Sequence, residues 1–244
     1  MLSFLTECRS TIYKLDTLPI NHGKHWSREA KIEAYQLALE LKDDDDLFNK
    51  LANHYGRTST SVKLIIREIA REKFIKSRNI EKLIHFTDAR NIESIQKNGL
   101  ISIDTLNKKN MHYYNCDDKR LDGITHGISI SITKRNDYLF QAYHRRQKRE
   151  WIEIELDPYL LCKANCYFFD TNAANKKFNN RHSELENVGA FISMFSDEVT
   201  IQDGRKINRI NQSMDETTCS QAEIIVKYKI PKSKIIKITK INVS

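Results

Sequence analysis

Lys82-Leu83-Ile84-His85-Phe86-Thr87 sets an imidazole among apolar side chains, and the chain changes texture at this point. The run reads as a strand. Just beyond it, Asn91-Ile92-Glu93-Ser94-Ile95-Gln96-Lys97-Asn98 carries apolar residues at helical spacing and stops at Gly99, which predicts a short helix. Further strands are predicted at 127–133, 151–156, 165–170, 221–230 and 234–241. Strands separated by helices of unequal spacing indicate an α+β fold rather than a repeating βαβ sheet. The interval 171–220 is polar and irregular and reads as long functional loops, with a lid among them.

Upstream of this run, residues 26–76 read as helical. Ala30, Ala34, Leu37, Ala38 and Leu41 follow the 3.6-residue period after a candidate N-cap at Ser27. After the acidic run 43–46, a second helix from Leu47 to Tyr55 ends at Gly56. A third follows a fresh cap within Arg57-Thr58-Ser59-Thr60-Ser61, with Val62, Ile65, Ile66 and Ile69 on one face. Three short helices so spaced resemble a helix-turn-helix module, whose last helix would turn Lys63, Arg67, Arg71 and Lys73 toward nucleic acid. Residues 1–79 hold 14 basic and 11 acidic side chains, a modest net of +3, so docking to a partner protein is an equal reading. The expected division is a helical module at 1–79 and an α+β core at 80–244.

A chain of 244 residues supports that division. Hydrophobic residues make up 40% and charged residues 30%, with 7 Gly and 3 Pro, which excludes collagen-like and wholly disordered classes. The formal charge of +8 favours an anionic partner, nucleic acid before membrane. No apolar run reaches the roughly 18–20 residues needed to cross a bilayer. The opening Met1-Leu2-Ser3-Phe4-Leu5-Thr6-Glu7 lacks the basic flank and apolar stretch of a signal peptide, so a cytoplasmic location is expected. Five scattered cysteines (Cys8, Cys116, Cys162, Cys166, Cys219) suit reduced thiols. Cys162 and Cys166 are spaced like half a metal site, but nothing completes four ligands, and no metal is expected.

Gly-rich phosphate loops, His-Glu-x-x-His and Gly-x-Ser-x-Gly are absent from the sequence. Three polar residues in apolar settings stand out instead: His85, Arg120 in Lys119-Arg120-Leu121-Asp122-Gly123, and Glu223 in Gln221-Ala222-Glu223-Ile224-Ile225-Val226. Each is either bonded structurally or serves a ligand, because unpaired burial is costly. Glu223, a carboxylate opening an Ile-Ile-Val run, sits where a sheet would meet a cleft.

These pieces carry a resemblance. Ile84-His85-Phe86-Thr87-Asp88 with Asn91, then Arg120-Leu121-Asp122, Ile128-Ser129-Ile130-Ser131-Ile132, Phe168-Phe169-Asp170-Thr171-Asn172-Ala173-Ala174 and Gln221-Ala222-Glu223-Ile224-Ile225-Val226 follow one another as in the DarT-type ADP-ribosyltransferase toxins, over roughly residues 80–244. The resemblance implies a split-sheet ADP-ribosyltransferase core and NAD as co-substrate. It also implies modification of a nucleobase of single-stranded nucleic acid, DNA before RNA, in a toxin or phage-defence setting, and a macrodomain antitoxin as partner. Carried over, His85, Phe86 and Thr87 hold the nicotinamide-side ribose and amide, with Asn91 nearby and Ser131 on the facing strand. Arg120 and Glu223 become the catalytic pair. The Ile-Ser-Ile-Ser-Ile strand departs from the Val-Pro-Phe-Tyr form of the thymidine-modifying branch and is more similar to the other branch, for which guanine is implied. The target base stays open, and the amino-terminal helical module is an addition to the family pattern.

The residue types suit that chemistry. Breaking the N-glycosidic bond of NAD develops positive charge on the ribose, which a carboxylate such as Glu223 stabilises. Arg120 could orient the attacking base or clamp the pyrophosphate, and the sequence leaves both roles open. Between Lys134 and Trp151, six basic residues outnumber Asp137 and Glu150 and alternate with Tyr138, Phe140 and Tyr143. Cations for phosphates beside aromatics for bases is a single-strand-binding pattern, which nominates Arg145, Arg146, Lys148 and Arg149 for substrate. The same stretch also reads as a helix with Tyr138, Leu139 and Ala142 facing the core, and Tyr138 is a candidate to stack on nicotinamide. Two alternatives remain: a DNA-binding regulator with a ligand-binding β-rich domain, and an NAD-dependent RNA 2′-phosphotransferase, for which no phosphate-binding arginine set can be assigned.

Overall fold

The computed structural model describes residues 18–117, 120–179 and 181–242. The opening heptapeptide, Cys8, and Lys119 of the Arg120 motif lie outside the described residues. Three helices come first: α1 (Arg28–Glu40), α2 (Leu47–Tyr55) and α3 (Ser59–Ser77). Their ends follow from the sequence. Ser27 accepts the Ala30 N–H and Thr58 accepts the Ser61 N–H, so each helix begins with a donor satisfied by a side chain. Gly56 closes α2 with a left-handed backbone, φ 57°. Ala34, Ala38, Leu47, Leu51, Val62, Ile66 and Ile69 make the shared core of the three helices.

The remainder alternates short elements: β1 (Leu83–Asp88), α4 (Ile92–Asn98), β2 (Leu100–Ile101), α5 (Ile103–Lys108), β3 (Gly127–Ile132), α6 (Asp137–Arg146), β4 (Trp151–Leu156), α7 (Leu160–Lys163) and β5 (Cys166–Phe169). Then follow α8 (Val188–Ser193), β6 (Glu198–Thr200), β7 (Lys206–Asn208), β8 (Glu223–Lys227), β9 (Lys229–Ile230) and β10 (Ile235–Ile241). Six strands form one antiparallel sheet in the order β10-β4-β1-β3-β8-β5, the α+β architecture expected. α4 ends at Gly99, φ 79°, where a side-chain carbon would lie 2.3 Å from the Ile230 carbonyl, so only glycine fits there.

The sheet is forked. β1 pairs with β4 over six residues, but with β3 only through Leu83↔Ile132 and Ile84↔Ser131. On its other edge β3 pairs with β8 from Gly127↔Lys227 to Ile130↔Ile224, so over residues 127–130 it is bonded to β8 and not to β1. The two half-sheets part at this point, and the gap between them opens a cleft.

Two expectations need correction. The first part of the interval 171–220 is packed rather than a free lid: Phe178, Leu185, Val188, Phe191, Met194 and Phe195 are buried, on short 3-10 turns, on α8 and just after it, while 201–216 is largely exposed. Its apolar residues are spaced too irregularly for any period to reveal them. The second concerns Arg71 of α3, which turns inward rather than toward nucleic acid, while Leu64 and Lys73 stay exposed. Val62, Ile66 and Ile69 pack into the helical core, while Ile75 joins the core of the sheet. Arg71 is fully buried, its guanidinium donating to the carbonyls of Leu161 (2.9 Å), Ala164 (3.0 Å) and Glu186 (2.7 Å) and lying over the Phe168 ring. Lys63 lies over Phe48 and Lys73 over Tyr35, both rings within the helical core.

Candidate active site

The cleft at the fork is lined from β1 by Ile84, His85, Phe86 and Thr87, from β3 by Ser129 and Ser131, from α6 by Leu139 and Tyr143, and from β8 by Glu223. The segment 113–117 and Arg120 close one side. His85, Arg120 and Glu223, separated widely in sequence, therefore face one space.

His85 spans the fork. Its Nδ1 lies 2.7 Å from the Ser129 carbonyl. A carbonyl only accepts, so Nδ1 carries the proton and Nε2 presents a lone pair. Burial holds the imidazole below its usual pKa, with Arg120 adding to the effect against the Ser129 bond, so the ring is neutral near pH 7. Glu223 opens β8 opposite Phe169, and its Oε2 accepts the Ala173 N–H at 3.1 Å. Burial raises its carboxyl pKa and the nearby Asp122 charge adds to this, while the Ser129 hydroxyl, the Ala173 N–H and Arg120 act in the other direction.

Arg120 occupies a turn with φ 35°, unusual for a residue with a side chain. The turn is closed by the Gly123 N–H on the Arg120 carbonyl at 2.8 Å, and the Arg120 N–H reaches Asp117 Oδ1 at 3.2 Å. Its guanidinium donates to the Ile124 carbonyl and pairs with Asp122.

The remaining candidates divide. Thr87, Phe86 and Ser131 line the cleft; Phe86 meets Phe140 and Trp151 edge to face and so forms a rigid wall. Asn91 reaches the cleft, but its amide is engaged with the protein: Nδ2 donates to Thr87 Oγ1 (3.1 Å) and the Tyr114 carbonyl (2.9 Å), and Oδ1 accepts the Tyr114 N–H (2.9 Å). It fastens the 113–117 segment rather than offering bonds to a ligand. Tyr138 is 72% exposed and outside the cleft lining. The phase of α6 explains this: Asn136 accepts the Leu139 N–H and starts the helix so that Leu139 and Tyr143 share the cleft face while Phe140 is buried. Tyr143 is the aromatic of α6 that reaches the cleft, and the Asn136-Asp137 cap is the sequence signal that sets the phase. Its hydroxyl bonds to Asp117, and burial holds its pKa well above the ordinary tyrosine value.

Arg145, Arg146 and Lys148 are exposed at and just past the end of α6. Arg149 is instead committed inward, to the Asn115 carbonyl (2.8 Å) and to buried Asp88 (3.3 Å), which also holds Arg90. Cys116 lines the cleft, 3.8 Å from Thr87 Oγ1. Cys162 and Cys166 are buried free thiols whose pKa values burial pushes up to about 12 and about 11, and among the described residues no group of three His, Cys, Asp or Glu is gathered as a metal site would need. No described helix is long and apolar enough to cross a membrane.

The family model described as ssDNA thymidine ADP-ribosyltransferase, DarT, matches residues 84–243, a stretch containing all twelve candidate site residues. Among solved structures, the chain is similar to Thermosipho africanus DarTG in complex with ADP-ribose, with 16% sequence identity and a TM-score of 0.39. The match covers 65% of this chain and 43% of that one, so the chain spans less than half the length of that structure. No curated protein matches the chain.

Proposed function

Because this chain belongs to the DarT family, described as ssDNA thymidine ADP-ribosyltransferase, we propose that it transfers ADP-ribose from NAD to a nucleobase of single-stranded DNA, using the cleft at the fork. One observation carries the reading: His85, Arg120 and Glu223 come from three separate segments and meet in one cleft within the matched residues. NAD as co-substrate supplies an ADP-ribosyl group whose ribose becomes electron-deficient as nicotinamide departs. The residues present fit it. The buried Glu223 carboxylate faces that charge, and a dry wall of Phe86 and Leu139 strengthens the interaction and limits competing hydrolysis. His85 Nε2 accepts a ribose hydroxyl or the amide, with Thr87 beside it, and Ser131 lies on the facing strand. Arg120 serves either the incoming base or the pyrophosphate.

Arg145, Arg146 and Lys148 supply the phosphate contacts, and exposed Tyr138 is placed to stack on a base outside the cleft rather than on nicotinamide. Thymidine is the base in the family description, and the Ile-Ser-Ile-Ser-Ile strand makes guanine the competitor to test. In this reading the protein is a toxin or defence effector restrained by an antitoxin, of macrodomain type by the resemblance. The shared packing of α3 speaks against a regulator that reads duplex DNA through that helix.

The test incubates the protein and its Glu223→Ala form with labelled NAD and single-stranded DNA or RNA of varied sequence, followed by mass spectrometry of the nucleotides. One ADP-ribose on one base type of DNA, lost in the variant, is expected. Adducts that persist in Glu223→Ala, or none on any polymer, would reject the reading.

A further inference from the structure

We propose that Asp122 is a positioning residue for this reaction: its carboxylate engages the Arg120 guanidinium and keeps it from pairing with Glu223. The inference rests on the transfer reading above and deepens it. Asp122 and Arg120 are both nearly covered, their side chains 8% and 13% exposed, with Nε to Oδ1 at 3.4 Å. A carboxylate so covered persists as a charge only beside a partner. The Asp122 carboxylate is also fixed from below, accepting the Ile124 N–H at 2.8 Å, and the Ile124 carbonyl in turn accepts from Arg120. Arg120 is thus held by Asp117 through its backbone N–H, by the Ile124 carbonyl on its guanidinium and by the ion pair of its Nε with Asp122, a contact that is not a hydrogen bond.

The consequence falls on Glu223. Arg120 and Glu223 line one cleft, where an arginine and a glutamate without other partners would form a mutual ion pair that substrate would have to break. Here the ion pair of Arg120 is with Asp122, and Glu223 is left with hydrogen bonds from Ala173 and Ser129. The charged and titratable groups that face Glu223 are Arg120 and Asp122 from the turn and Tyr143 from α6, with His85 beside Arg120. Among these, Asp122 is the negative neighbour that resists ionisation of Glu223.

Asp122→Asn keeps an oxygen for the Ile124 N–H and removes the charge; Asp122→Glu keeps the charge. Two measurements are made on each: the titration of the Glu223 carboxyl by 13C NMR without substrate, assigned with Glu223→Gln, and the pH dependence of ADP-ribosyl transfer to single-stranded DNA. In Asp122→Asn the Glu223 midpoint should move to lower pH and the acid limb of transfer should move with it. Transfer at neutral pH should drop by roughly tenfold to a hundredfold as Arg120 loses its aim. Asp122→Glu should restore the wild-type midpoint. An active wild type whose Glu223 midpoint is unmoved in Asp122→Asn overturns this proposal alone. A midpoint that moves in a protein whose wild type transfers nothing overturns the transfer reading, and this proposal with it.

Discussion

Glu223 is buried where its ionisation is opposed, and that opposition has a sign that can be measured. Its raised pKa means that the folded state holds the proton more tightly than the unfolded chain does. Its contribution to stability is therefore most favourable below the ordinary carboxylate range and is lost as pH rises from there through the raised value. Glu223→Gln, which keeps an oxygen for the Ala173 N–H, should unfold at an equal or higher Tm than wild type near pH 7 while transferring no ADP-ribose. Calorimetry beside the transfer assay checks this, and a lower Tm would mean that the charge is structurally useful. Residues such as Glu223 and His85 were legible in the sequence because a charged or titratable group inside an Ile-rich strand must be either bonded structurally or serve a ligand. Asp122, Asp117 and Ser129 were not, since their roles depend on a turn at Arg120 and on which strand departs from which, neither of which leaves a periodic mark.

At the scale of elements, α6 divides its work by phase. Leu139 and Tyr143 turn into the cleft, Phe140 into the wall, and Arg145 with Arg146 out to solvent at the carboxy-terminal end, where positive charge also suits the helix dipole. The helix itself was legible as basic and amphipathic, but its rotation was not, and Tyr138 went to the wrong face as a result. Replacing Arg145 and Arg146 together by Gln should weaken binding to single-stranded DNA. It should flatten the dependence of log affinity on log salt by about 0.7 for each phosphate that is no longer neutralised. NAD hydrolysis without DNA should stay as in wild type. An unchanged salt slope in a fluorescence-anisotropy titration would move the DNA track elsewhere on the surface. β1 and β3 show the same limit of sequence reading: each was visible as a strand, but the two-residue pairing that makes the fork rests on where the two strands diverge, which leaves no periodic mark.

For the whole molecule, the decisive contact is Arg71. Its guanidinium joins α3 to α7, to the lead-in of β5 and to the turn before α8, so the helical module and the sheet share one buried cation without a carboxylate on it. Burial lowers its pKa to about 10, leaving it charged near pH 7. Arg71→Met keeps the apolar bulk and strands three carbonyls, which should cost about 3 kcal/mol or more. Unfolding should remain a single calorimetric transition, because the destabilisation falls on both cores at once. Two separated transitions in either protein would show that the helices fold as an independent unit. From the sequence, Arg71 was a surface cation on a candidate recognition helix, since partners 90 to 115 residues away are invisible to local pattern.

The same arginine imposes an order on biosynthesis. On the ribosome α3 emerges long before Leu161, Ala164 and Glu186, so Arg71 stays hydrated and its helix half-covered until the chain has grown past the turn that precedes α8. The carboxylate of Glu223 arrives later still. A nascent or prematurely released chain therefore passes through a long interval in which its amino-terminal half is made but cannot close around its own arginine, and in which the cleft still lacks its carboxylate.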